Sequence, residues 1–91
     1  MTTTSGLTAD DVFEIVRAAV ARVMEIDPAT VTRSTSFAAD LHADSLALVE
    51  VVEIVEGQLR ARVGDRFVID DDDIEDLDTV GAAADYAVAR L

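Results

Sequence analysis

The chain has 91 residues, no cysteine, and 19 acidic against seven basic side chains, for a formal charge of −12 at pH 7. A chain this short makes one domain with a modest core and little room for a deep enzyme pocket. The missing cysteines exclude a disulfide framework and thiolate metal sites, and the charge excludes nucleic acid and anionic membrane as natural partners, since both require basic surface.

Residues 1–6 lack the basic and apolar parts of a signal peptide and read as a disordered tail, so a cytoplasmic location is expected. No apolar run reaches bilayer length, and no membrane insertion is expected. Residues 7–91 form the domain. Thr8-Ala9-Asp10-Asp11 opens a first helix, with Thr8 as N-cap and acids in the first turn. Val12, Ile15, Val16, Ala19, Val20 and Val23 then recur at helical spacing. Asp27-Pro28 is expected to end this helix, because the residue before a proline is pushed out of the α region. A loop rich in Ser and Thr follows over 30–40, pinned to the core by Val31 and Phe37.

A second helix starts at Asp44 or Ser45 and is predicted to run to about Leu59. Leu48, Val51, Val52, Val55 and Leu59 form its buried stripe. Gly57 weakens it by about 1 kcal/mol relative to alanine. Residues 60–70 are expected as a connector anchored by Phe67-Val68-Ile69. Asp71 to Leu77 fits a short helix with Ile74 and Leu77 inward. Thr79 caps a last helix from Val80, with Ala83, Ala84, Ala87, Val88 and Leu91 inside. The fold class is all-α: a small bundle of three longer helices and one short helix, without a convincing strand.

The stretch Asp40-Leu41-His42-Ala43-Asp44-Ser45-Leu46-Ala47-Leu48-Val49-Glu50 ends a polar turn at a serine that opens an apolar helix. A hydroxyl there meets unpaired N–H groups and the positive end of the helix dipole, so a phosphate attached to it would be held in a ready-made anion site. Spacing alone equally allows Ser45 or Asp44 to be a simple cap. A hydrolase is a poor reading: there is no G-x-S-x-G elbow, and the only histidine is His42, on the turn three residues upstream. His42 reads as an exposed turn residue whose side chain is not required, with contact to a phosphate when protonated as the alternative. Glu50, Glu53 and Glu56 recur every three residues, the pattern of a solvated face. Asp70-Asp71-Asp72-Asp73, with Glu75 and Asp76, is not an EF-hand. Ile74 and Glu75 stand where that loop needs a ligand and a glycine, so the run reads as an acidic helix start and no metal site is expected. Arg60, Arg62 and Arg66 offset the acidic surface locally, with partner discrimination as the alternative.

From residue 7 to 91 this layout resembles the acyl carrier protein family. Ile26-Asp27-Pro28-Ala29-Thr30-Val31 looks like the family's turn after helix one, and Ser36-Phe37-Ala38-Ala39-Asp40-Leu41 like its run into the attachment site. Asp44-Ser45-Leu46 is similar to the attachment tripeptide, Val49-Glu50-Val51-Val52 to the second helix, and Asp78-Thr79-Val80-Gly81-Ala82-Ala83 to the start of the last. The resemblance implies a discrete, non-catalytic carrier. Ser45, flanked by Asp44 and Leu46, would receive 4′-phosphopantetheine from coenzyme A through a phosphopantetheinyl transferase. Acyl intermediates would ride on that arm as thioesters for fatty-acid or polyketide-type biosynthesis. It also makes Glu50, Glu53 and Glu56 a docking strip for acyltransferase and ketosynthase-type enzymes with basic patches, and the carrier a monomer. The small Ala83, Ala84 and Ala87 would let apolar cargo wedge into the core.

Three departures stand out: His42 replaces the usual glycine, Ala47 replaces a frequent acid, and the connector over 60–68 is longer than in typical fatty-acid carriers. Two alternatives stay open. One is a peptidyl or aminoacyl carrier, against which Asp44 speaks, since peptidyl carriers often have histidine before the serine. The other is an unmodified helical interaction module in which Ser45 only caps.

Overall fold

Thr8 closes a reciprocal capping box. Its hydroxyl accepts the Asp11 amide at 3.1 Å, and the Asp11 carboxylate accepts the Thr8 amide at 3.1 Å. This starts α1 (Ala9–Met24) in the computed structural model, which describes residues 7–74 and 76–91. The tail expected over 1–6 lies outside the described residues. α1 stops short of Asp27-Pro28. Glu25 turns left-handed (φ 56°, ψ 48°), and the Ile26 amide wraps back onto the Ala21 carbonyl at 3.0 Å. Pro28 therefore begins the next element, a 3₁₀ turn (Pro28–Thr30) capped by the Asp27 carboxylate on the Ala29 amide at 2.9 Å.

α2 (Ser45–Val63) runs one turn past the expected end at Leu59. Arg60, Ala61 and Arg62 are good helix formers, and the two arginines suit the negative end of the helix dipole. The chain breaks only at Gly64, whose φ of 103° demands glycine. Arg60 thus belongs to the helix and not to the connector. Its Nε donates to the Phe67 carbonyl at 2.9 Å, while the Glu56 carboxylate accepts the Ile69 amide at 2.8 Å. These two bonds fold the connector back onto α2 and bury Phe67 and Ile69, with Val68 turned outward.

A short α3 (Asp71–Ile74) follows, and Thr79 caps α4 (Val80–Ala89) by accepting the Ala82 amide at 3.0 Å. α3 is clasped to α4. The Tyr86 hydroxyl donates to the Asp73 carboxylate at 2.6 Å, Arg90 donates to the same oxygen at 2.9 Å, and the Arg90 guanidinium sits 4.7 Å from the Tyr86 ring centre. Burial, and then this bond to Asp73, raise the Tyr86 phenol above its ordinary value of 10.0. The folded-state value lies above the unfolded one, so the phenol's contribution to the clasp is fully present below pH 10 and is lost as pH rises through the raised value.

α1 is the central element, packing against both α2 and α4. Val12, Val16, Ala19 and Val20 of α1 meet Val51, Val52, Val55 and Leu59 of α2 and Val80, Ala84 and Ala87 of α4, with Val31, Phe37, Phe67, Ile69 and Ile74 closing the core. Ile15, Val23, Leu48, Leu77, Ala83 and Val88 are only half-buried at its edge. Leu91, expected inside, is 49% exposed because α4 ends before it at Ala89. The architecture is all-α, with no strand among the described residues; the isolated bridge between Ser36 and Thr79 is the one β-type pairing there. Among the same residues no helix is long and apolar enough to cross a membrane.

Gly57 lies exposed on α2, and a Cβ built there meets nothing within 4 Å. Gly57→Ala is expected to stabilise the fold by about 1 kcal/mol. Thermal melting should show a rise of about 4–8 °C, and no rise would mean that the unfolded chain gains as much as the helix.

Candidate functional site

The approach to Ser45 is built by the loop over 31–44. Ser36 nucleates a tight turn: its amide donates to the Asp40 carboxylate at 2.7 Å, and its carbonyl accepts the amides of Asp40 and Leu41, each at 3.1 Å. His42 then takes a left-handed conformation, φ 53°. That reversal lets the Ala43 amide reach the Phe37 carbonyl at 2.8 Å, and Phe37 is buried. The loop is also bonded to the start of α4. The Phe37 amide donates to the Asp78 carbonyl at 3.0 Å, the Val80 amide to the Thr35 carbonyl at 3.0 Å, and the Gly81 amide to the Arg33 carbonyl at 2.9 Å. A rigid backbone path therefore connects the core to the first residue of α2.

Asp44 is the N-cap of α2, and its carboxylate accepts the Ala47 amide at 2.9 Å. Ser45 is the first helical residue and is exposed. Of the two caps that spacing allows, the structure uses Asp44, so capping does not occupy the Ser45 hydroxyl. Among the described residues that hydroxyl has no hydrogen-bond partner. The amides of Ser45 and Leu46 point along the helix axis without an intrahelical acceptor, as the first-turn donors of any α-helix do. An ester at this oxygen would extend from an exposed residue with unpaired first-turn amides beside it. The residues present thus fit a phosphate-linked group.

Leu46, next in the chain, is 66% exposed, and Val49 is 39% exposed. With the exposed Glu50 and Glu53 they follow an i, i+3, i+4, i+7 spacing, so two apolar and two acidic side chains share one open face. Glu56 stands apart from these. It is half-buried, with its carboxylate on the Ile69 amide and 3.6 Å from Arg60, and it ties the connector down. Leu46 and Val49 both lie outside the buried stripe of Leu48, Val51, Val52, Val55 and Leu59 expected from helical spacing, so their exposure follows from the same periodicity.

Around Asp44 and Leu46, the neighbours of Ser45, lies a shallow groove of about 240 Å³ that shares Leu46 and Glu50 with this face. It is lined by Val23 and Met24 from α1 and by His42, Ala43, Asp44, Leu46, Ala47 and Glu50. The contribution of α1 is a long-range contact that local pattern could not indicate. The left-handed turn at His42 did have a signal, since the residue replaces a glycine usual in the family it resembles.

Behind the site, no Cα atom of α2 comes within 8 Å of α4 among the described residues. Side chains fill the space between the two helices: Val16, Phe37, Leu48, Val55, Ala83 and Tyr86 wall an apolar cavity of about 20 Å³. That volume admits about one water molecule.

Residues 14–87 match the family model described as the phosphopantetheine attachment site. An acyl carrier protein of Phenylobacterium zucineum is 40% identical over 81 residues, covering 89% of this chain and 95% of its own length. Acyl carrier proteins of Lactobacillus johnsonii and Lactobacillus acidophilus are 34% and 32% identical over 80 residues, covering 88% of this chain and 92% of each relative.

Proposed function

We propose, from the premise that the chain belongs to the phosphopantetheine-attachment family and, within it, to the acyl carrier proteins, which bear 4′-phosphopantetheine covalently, that Ser45 bears the group. The chain is then a discrete carrier for fatty-acid or polyketide-type biosynthesis, without catalysis of its own. One observation carries this reading: Asp44 holds the helix cap, which leaves the Ser45 hydroxyl exposed and uncommitted at the first helical position.

When bound, the group supplies a terminal thiol on a flexible arm, to which acyl chains are attached as thioesters. Everything else falls to this chain's residues. The amides of Ser45 and Leu46, unpaired in the first turn of α2, would hold the phosphate, and the rigid path through Phe37 and Ala43 would fix where the arm begins. Leu46, Val49, Glu50 and Glu53 form the face that meets a partner, with acids to steer a basic patch and apolar contacts to hold it. The partners are a phosphopantetheinyl transferase and enzymes of the acyltransferase and ketosynthase type. Glu56, bonded to the connector, contributes charge but is not free to follow a partner's side chain. The gap between α2 and α4 is apolar but nearly filled, so sheltering cargo there requires Leu48, Tyr86 and Ala83 to move aside.

Intact-mass analysis after incubation with coenzyme A and a broad-specificity transferase tests the reading. One phosphopantetheinyl unit should be gained, and peptide mapping should place it on Ser45. Loading from malonyl donors, and none from aminoacyl donors, is then expected. No mass gain would leave a helical interaction module, and aminoacyl loading would make the chain a peptidyl carrier.

The docking face has its own test. Glu50→Lys combined with Glu53→Lys should lower the transferase's kcat/KM by about tenfold at low salt, mainly through KM, and the loss should shrink as salt rises. Kinetics unchanged at low salt would place docking elsewhere.

A further inference from the structure

We propose that His42 is a positioning residue for the phosphodiester on Ser45, acting as the switchable cation of that site. The proposal rests on the assignment of Ser45 above. Three observations support it.

The first is placement. His42 is exposed and lines the same groove as Asp44 and Leu46, the two neighbours of Ser45 in sequence. Two intervening residues hold the Cα atoms of His42 and Ser45 within about 11 Å, a span that an imidazole and a serine-linked phosphodiester can bridge between them.

The second is charge. A phosphodiester adds a negative charge to a chain already at −12. The charged or titratable groups lining the groove are His42, Asp44 and Glu50, while α1 contributes only Val23 and Met24. Asp40, on the same loop, has its carboxylate on the Ser36 amide. Among the described residues no arginine lines the groove, and of them His42 is the one group there that can become a cation.

The third is conformation. His42 occupies a left-handed backbone position that favours glycine. The Ala43-to-Phe37 hydrogen bond holds it there. Glycine would satisfy the backbone at lower conformational cost, so what histidine adds at this position is its ring.

The test is nuclear magnetic resonance on the apo and modified proteins, titrated between about pH 5 and 8. His42 is the only histidine in the chain, so its ring signals are unambiguous. The phosphodiester does not itself titrate in that range, so any inflection of its ³¹P signal reports a neighbour. Modification should raise the His42 midpoint by about half a pH unit. The ³¹P signal should shift with the same midpoint and become flat in His42→Asn, an uncharged variant that tolerates the left-handed backbone. An unchanged His42 midpoint, or a ³¹P inflection that survives in His42→Asn, overturns the proposal while leaving Ser45 as the attachment point. Peptide mapping of the modified protein separates the two readings: modification elsewhere than Ser45 overturns both.

Discussion

Ser45→Ala is expected to abolish phosphopantetheine attachment entirely while leaving stability within about 0.5 kcal/mol of the parent. The two halves of that expectation have separate causes. Attachment needs an oxygen, and the Ser45 hydroxyl is the exposed one at the start of α2. Stability is indifferent because the helix cap belongs to Asp44, whose carboxylate holds the Ala47 amide, and because the Ser45 hydroxyl has no partner among the described residues. Alanine is also a better helix former than serine. The contrasting variant is Asp44→Ala, which removes the cap and should cost about 1 kcal/mol while leaving the acceptor oxygen in place. Intact mass and thermal melting of both variants check the separation. Attachment to the Ser45→Ala protein would show that another hydroxyl is used. A large drop in its melting temperature would show that Ser45 holds the helix end after all.

The same pair of residues shows what local pattern could and could not reveal. Capping is a short-range bargain between a side chain and an amide two or three residues on, so Thr8 and Thr79 were legible, whereas spacing left Asp44 and Ser45 open as caps and only the structure decides for Asp44. The ends of α1 and α2 were less legible. Glu25 ends α1 by turning left-handed, which glutamate does not advertise, and the proline expected to stop it starts the next turn instead. α2 continues through Arg60 because nothing breaks it before Gly64. The dual use of Glu56 and Arg60 depends on the connector folding back, a contact that exists only once Phe67 and Ile69 are buried. The groove formed by His42 with Val23 and Met24 joins segments distant in sequence and was invisible for the same reason. Motif and resemblance pointed to the serine; the surroundings that decide its chemistry are tertiary.

Gly81→Ala is expected to destabilise the fold by about 2–3 kcal/mol and to lower the melting temperature by roughly 10–20 °C. Helix propensity alone predicts the opposite sign, since Gly81 lies within α4 and alanine is favoured there by about 1 kcal/mol. Geometry decides the outcome. A Cβ on Gly81 would sit 2.8 Å from the Arg33 carbonyl oxygen and 3.0 Å from the Arg33 Cβ. That oxygen is backbone, and it already accepts the Gly81 amide at 2.9 Å, so it cannot rotate away as a side chain would. Relief requires the segment around Arg33 to lift off α4, which strains the neighbouring bonds from Val80 to Thr35 and from Phe37 to Asp78. These bonds also hold the path to Ser45. Hydrogen exchange at the amides of Phe37, Val80 and Gly81 should therefore accelerate in Gly81→Ala before exchange within α2 does. The matched substitution at Gly57, with open space around its Cβ, should stabilise, so the two glycines of the same chain bracket the effect with opposite signs. If Gly81→Ala melts at or above the parent temperature, the Arg33 segment yields freely, and the loop leading to Ser45 is held by Phe37 and Ala43 alone.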